Sequence, residues 1–327
     1  MATLPTFNAS TTADDVVDAF AADIKGKNVL VTGTSLNGIG FETARAIAKY
    51  ANLVVITGYN EGRLQASRNA ILEVIPSANV RPLMLDLSSL AAVRKAAAEV
   101  NAYPEPLHVL INNAAATGGV YALTEDNIEI QMAASHIGPF LFTNLLIPKI
   151  IASASGSRSW TPRVVFVAEE FLRGYGGPKG VTVDPKTTPV PALPRYNRVK
   201  SANVLTAKEL ARRTKGRLLA YSLKPGGIWT NAFEKGFKPE LVQYGIIDAE
   251  GKPSPTLPGG VPWKTLSQGA ATTLVAAFDP RISDKSGAYL DDCVVAEEKV
   301  APHSADMTRA LKLWELTEDV VGEKFDL

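Results

Sequence analysis

The sequence predicts an α/β protein, a doubly wound parallel sheet with helices on both faces. Three observations carry that expectation. Short β-branched runs alternate with stretches of helical spacing, the runs are apolar on both faces, and a glycine-rich turn follows the first of them. A run without polar alternation is what a strand buried between two helix layers requires.

In chain order, strands are expected at residues 28–32, 53–57, 80–85, 108–112, 163–167 and 217–223. Helices are expected at 39–50, 63–75, 90–100, 125–151 and 196–214. Strand–helix–strand units with right-handed crossovers give parallel pairing. A strand near 287–290 and a helix near 305–320 close the pattern. Residues 1–24 read as an N-terminal extension with a short helix over 11–24, capped by Thr12 and Asp14. Two stretches rich in Gly and Pro, 171–195 and 231–262, read as lid loops, and 303–327 as a C-terminal helix. The expected organisation is one domain spanning 1–327.

Composition narrows the function. Lys plus Arg is 34 and Asp plus Glu is 33, a formal net charge of +1, so no basic field invites nucleic acid or an anionic membrane. The single cysteine, Cys293, closes no intrachain disulfide, and His108, His136 and His303 are scattered, which argues against a His/Cys metal centre. Met1–Ser10 has neither the basic start nor the apolar core of a secretory signal. The apolar stretch 136–152 is interrupted by Pro139, Asn144, Pro148 and Lys149, short of the ~20 apolar residues of a span. The reading is a soluble, cytoplasmic protein.

After the first strand comes Gly33-Thr34-Ser35-Leu36-Asn37-Gly38-Ile39-Gly40, and a helix opens. Glycines at the first strand-to-helix crossing let backbone N–H groups approach a pyrophosphate at the positive end of the helix, the arrangement of a Rossmann-type nucleotide site. After the second strand stands Gly58-Tyr59-Asn60, without the acid that would accept from a ribose 2′-hydroxyl. With Arg63 one turn on, Tyr59, Asn60 and Arg63 favour NADP(H) over NAD(H).

Tyr196 and Lys200 are four residues apart at the start of a helix and share a face. An ammonium near a phenol is expected to lower the phenol's pKa, making Tyr196 a proton carrier near neutral pH. A second Tyr-x-x-x-Lys match, Tyr175 to Lys179, is broken by Gly176-Gly177-Pro178 and cannot be helical.

Together these residues resemble the short-chain dehydrogenase/reductases, especially the retinol-dehydrogenase-like and fungal members. The resemblance is carried by the loop from Gly33 to Ala44, by Asp86-Leu87-Ser88, by Asn112-Asn113-Ala114-Ala115, and by Tyr196-x-x-x-Lys200 with Ser201–Leu205. Pro225, Gly226, Gly227 and Ile228 with Thr230 match the segment that holds the nicotinamide carboxamide. The resemblance implies Tyr196 as general acid/base, Lys200 on the ribose, Asp86 and Leu87 near the adenine, and a homodimer through the 125–151 and 196–214 helices. It also implies a substrate-binding Ser and a relay Asn, and here the chain departs. Val167-Ala168-Glu169-Glu170 puts Glu169 where the Ser belongs, and Ser135 takes the Asn position. Four residues separate the loop's first two glycines instead of three.

Three roles are compatible with Glu169: a protonated acid that donates as Ser would, a carboxylate that pairs with an iminium, or a general base in an isomerisation, dehydration or cyclisation. The expected activity is an NADP(H)-dependent reductase in a specialised pathway. The alternatives are a non-redox isomerase, dehydratase or cyclase using Glu169, and a catalytically silent binding protein. Aromatic residues of the lids, with Glu170, Phe171, Trp229 and Phe233 as candidate contacts, point to an apolar small-molecule substrate.

Overall fold

The structure, a computed structural model, describes residues 4–117, 121–154, 160–169, 192–231 and 238–327. Eight strands form one sheet: β1 (Asn28–Val31), β2 (Leu53–Gly58), β3 (Val80–Met84), β4 (Val109–Asn112), β5 (Arg163–Val167), β6 (Leu219–Lys224), β7 (Tyr289–Asp291) and β8 (Val294–Val295). Their order is β3-β2-β1-β4-β5-β6-β7-β8, parallel from β3 to β7, with β8 antiparallel at the edge. The chain winds outward from β1 in both directions, so a crevice opens between the ends of β1 and β4, where such sheets bind ligands.

Helices cover both faces, as the alternating runs predict. One face carries α1 (Ala13–Ala19), the short α2 (Ala21–Ile24), α3 (Ile39–Ala48) and α4 (Glu61–Val74). The other carries α5 (Leu90–Ala102), then α6 (Ile130–Met132), which runs through a π turn (Ala133–Ile137) into α7 (Gly138–Ala152), and α8 (Ala192–Thr214). After β6 come α9 (Lys238–Gln243), α10 (Leu266–Phe278), α11 (Pro302–Ala305) and α12 (Met307–Val321). Val16, Ile47, Leu274 and Phe278 fill the core under the first face, and Phe140, Leu146, Leu210 and Trp314 the core under the second.

Some elements depart from expectation. The predicted 125–151 helix begins only at Ile130, because Leu123 and Glu129 bridge as extended chain and Glu129 caps α6. Thr12 does cap α1, but its capping-box partner is Asp15, while Asp14 pairs with Arg45 of α3 and with Lys49 just beyond it. The 171–195 loop already contains the first turn of α8, and 231–262 contains α9. Helix α10 was not anticipated, although Thr265 and Gln268 form the capping box that starts it. Ile130–Ala152 is long and apolar enough, by composition, to cross a membrane, yet 83% of that window is buried inside the protein. Helix α12 packs against α8, and Trp314 meets Phe140 of α7 edge-on at 4.7 Å between centroids.

Candidate active site

A cavity of about 660 Å³ lies along the C-terminal ends of β1, β2, β4, β5 and β6. At one end is the glycine loop. Gly33 has a left-handed backbone (φ 71°), and a Cβ there would stand 2.7 Å from the Ala114 Cα. Asn37 is also left-handed (φ 59°), which accommodates the extra residue before Gly38 in a type that tolerates that conformation. Gly40 allows α3 to approach Asn113, whose Nδ2 would lie 2.3 Å from an added Cβ. That Nδ2 donates to the carbonyls of Thr32 and Gly33, and Thr32 Oγ1 accepts from the N–H groups of Asn113 and Ala114. Gly38 caps α3 without a side-chain bond, so the helix presents its N-terminal backbone to the cavity.

The end of β2 borders the same space. Asn60 accepts from Arg63 N–H to cap α4, and the Arg63 guanidinium lies 4.8 Å over the Tyr59 ring. Tyr59 and Arg63 line the main cavity, whereas Asn60 lines a small adjoining cleft with Thr34, Ser35 and Leu64. Asp86 and Leu87 form the wall opposite.

The reacting groups expected from the sequence meet at the far end. Tyr196, Lys200 and Glu169 share the wall with Asn113, Ala114, Ala115, Pro225, Gly226, Gly227, Ile228 and Thr230. Lys200 Nζ donates to the Val167 carbonyl at 2.8 Å and lies 5.3 Å from the centre of the Tyr196 ring. Glu169 sits 3.6 Å from Lys224 Nζ at the end of β6. Burial pushes the Tyr196 phenol well above its ordinary value, and the nearby Glu169 charge raises it further. Burial also lowers Lys200 to about 8, against the pull of Glu169 in the other direction. The expected depression of the phenol by Lys200 is therefore outweighed: desolvation, with the Glu169 charge added, dominates.

Residues 27–167 match the family described as short chain dehydrogenase. Over 316 residues the chain is 32% identical to "Short-chain dehydrogenase TIC 32 A, chloroplastic" of Brassica napus, covering 95% of this chain and 93% of the relative. It is 31% identical to human retinol dehydrogenase 14 over 311 residues, 91% of this chain and 87% of that one. A solved structure of an uncharacterised protein from Mycobacterium Paratuberculosis superposes with a TM-score of 0.67 at 25% identity, over 94% of this chain and 98% of its own. A gluconate 5-dehydrogenase from Burkholderia cenocepacia shares the fold (TM-score 0.60, 19% identity, 83% of this chain and 96% of that one).

The chain belongs to the short-chain dehydrogenase family. It is a short-chain oxidoreductase of the retinol-dehydrogenase-like kind, a family that acts on small molecules and whose fold binds a nicotinamide cofactor.

Within this short-chain dehydrogenase, several expected site residues lie off the cavity wall. Ser135, expected to replace the relay Asn, is buried in the π turn. Its hydroxyl accepts from Ala116 N–H at 2.8 Å and its carbonyl accepts from Asn203 Nδ2 at 3.1 Å, so it buttresses the wall from behind. Trp229 packs edge-on against Trp263, 5.9 Å between centroids, in a small cluster with Leu241, Ile246 and Leu257. Asn37 and Gly40 shape the glycine loop without lining the cavity. Glu170, Phe171 and Phe233 fall outside the described residues.

Other wall residues were not foreseen. Among the described residues the apolar end is formed by the aliphatic side chains of Ile130, Leu193, Leu241, Ile246 and Leu257. Asn231 donates to the Leu36 carbonyl at 2.9 Å, tying the segment after β6 to the glycine loop. Glu240 accepts from the N–H groups of Ala192 and Leu193 at the start of α8. No local motif announces Asn231 or Glu240, because their partners lie 47 to 195 positions away.

Proposed function

We propose that this chain is an NADP(H)-dependent reductase of an apolar carbonyl or imine, with Tyr196 as the proton donor and Glu169 in the place of the family's serine. The observation that carries this reading is one cavity joining the glycine loop, Arg63, Tyr196, Lys200 and Glu169 to an aliphatic end.

The residues fit a nicotinamide dinucleotide. Positions 33 and 40 have no room for a Cβ, and α3 has no side-chain cap, so backbone N–H groups of the loop are what a pyrophosphate would meet. The loop from Gly33 to Ile39 would hold the pyrophosphate, Asp86 and Leu87 would border the adenine, and Lys200 would hold the nicotinamide ribose. Pro225 to Thr230 would flank the nicotinamide. Tyr59, Asn60 and Arg63 supply a guanidinium and no carboxylate at the β2 end, which favours a 2′-phosphate. When bound, the cofactor supplies the hydride.

The chain's own part is the proton. With its pKa raised by burial and by Glu169, Tyr196 is protonated at neutral pH and donates from its hydroxyl to the oxygen or nitrogen being reduced. Glu169 lies 3.6 Å from Lys224 Nζ, and in its carboxylate form it would attract an iminium but could not donate to a carbonyl oxygen. The aliphatic end would take the apolar body of the substrate. Helix α12 packs on α8 and its Trp314 meets Phe140 of α7, so a homodimer through the α7 and α8 helices would have to accommodate α12.

The test is NADPH oxidation against a panel of apolar aldehydes, ketones and cyclic imines, with product quantified. The proposal expects one mole of NADPH consumed per mole of substrate reduced. Turnover without nucleotide consumption would support a second reading, favoured by the electrostatic coupling of Glu169 to Tyr196: acid/base isomerisation or cyclisation by that pair.

A further inference from the structure

We propose that Glu240 is a positioning residue that fastens the segment 238–257 to the first turn of the helix carrying Tyr196 and Lys200. Its functional consequence rests on the reductase reading of the cavity.

Both oxygens of the Glu240 carboxylate are engaged, one accepting from Ala192 N–H at 2.9 Å and the other from Leu193 N–H at 2.8 Å. These amides open α8, where helix geometry leaves N–H groups without intrahelical partners and where negative charge is favoured. Tyr196 follows one turn later. The residues beside the bonded atoms face the cavity: Leu193 from α8 and Leu241 from α9 are both buried in its wall. One carboxylate therefore sets the spacing between two sides of the aliphatic end.

The same turn of α8 is held from another element. Arg195 pairs with Glu129 at 2.8 Å, both side chains buried, and Glu129 caps α6, which brings Ile130 to the wall. The far part of the segment moves with α9 because Leu241, Ile246, Ile247 and Leu257 form their own core, packed on Trp229 and Trp263. Release of Glu240 thus frees the apolar end of the cavity, while the glycine loop, held by Asn113 and Thr32, stays in place.

Hydrogen exchange of residues 192–200 and chain-length kinetics test this on the full-length protein. Glu240→Ala is expected to speed exchange of the first-turn amides by about tenfold or more, with the central strands unchanged. The probes are butanal and decanal, and 2-methyl- and 2-octyl-1-pyrroline, each with NADPH. The kcat/KM for the long-chain member is expected to fall about tenfold and that for the short-chain member by no more than about twofold, with NADPH affinity unaltered. Glu240→Gln, which keeps one accepting oxygen, is expected to fall between wild type and Glu240→Ala. Unchanged exchange in Glu240→Ala, or equal losses for long and short members, would overturn the proposal. If wild type reduces neither pair, the reductase reading fails for these substrates, and the exchange result alone decides the fastening.

Discussion

At the glycine loop the ties are neutral and end on backbone atoms: Thr32 Oγ1 accepts from two N–H groups, Asn113 Nδ2 donates to two carbonyls, and Thr34 N–H donates to the Thr57 carbonyl. At the ends of β5 and α8 the ties run through charged side chains, with Lys200 on Val167, Glu169 beside Lys224, Arg195 on Glu129 and Glu240 on α8. The first end tolerates change poorly because a Cβ has nowhere to go. The second end can be rewired one side chain at a time, which is how the proposed exchange of the family's Ser for Glu169 would be accommodated. On the proposed reading, cofactor binding depends on the tightly packed glycine loop, and the identity of the reaction on a few ionisable groups.

The sharpest way to break that separation is at Tyr196. Tyr196→Phe is expected to lower kcat for reduction by about 10³-fold while leaving NADPH affinity nearly unchanged. Glu169→Gln should cost much less, since it removes no proton donor. The opposite ranking would assign the chemistry to the carboxylate and the non-redox reading.

The loop end is probed at Arg63. Arg63→Ala is expected to weaken NADPH by roughly 10- to 100-fold, the equivalent of one charge-assisted contact, and to leave NADH alone. Equal losses for both nucleotides, measured by fluorescence titration, would remove the 2′-phosphate role.

Two buried histidines, neither on the cavity wall, give a prediction about stability. His108 accepts from Asn28 N–H beneath β1, and His136 sits between Asn203 and Thr317 behind Ser135. Burial lowers both from 6.5 to about 4. Between those values the unfolded chain binds protons that the folded chain does not, so stability is lost as pH falls through that window. The loss approaches roughly 3 kcal/mol per histidine at its lower end. Urea unfolding at pH 7.5 and 4.5 checks this, and equal midpoints would contradict it.

The smallest effect concerns Lys200. With its ammonium titrating near 8, reduction is expected to decline by about half at that pH and to follow a single alkaline limb. Glu169→Gln removes a charge that holds the ammonium, so the limb should move to lower pH.

The sequence made one end far more legible than the other. Gly33, Gly38, Asn113, Tyr196 and Lys200 sit in short local patterns, and β5 ran from Arg163 to Val167 as its apolar stretch indicated. Trp229 illustrates the failure. An aromatic residue near the site looks like a substrate contact, but its ring packs on Trp263, 34 positions later, and off the described wall. Ser135 lies within the expected helical stretch, but a π turn holds it there and its hydroxyl accepts from Ala116 N–H, which composition and spacing do not specify. Glu240 and Asn231 belong to the same class: their partners are set by tertiary closure over the cavity.

The most direct measurement is a parallel titration of the purified protein with NADPH and NADH, following tryptophan quenching and nicotinamide fluorescence. The account predicts saturable NADPH binding in the micromolar range, with NADH weaker by roughly tenfold or more. Absence of binding by either nucleotide at millimolar concentration would contradict it, and equal affinities would overturn the proposed preference for NADP(H).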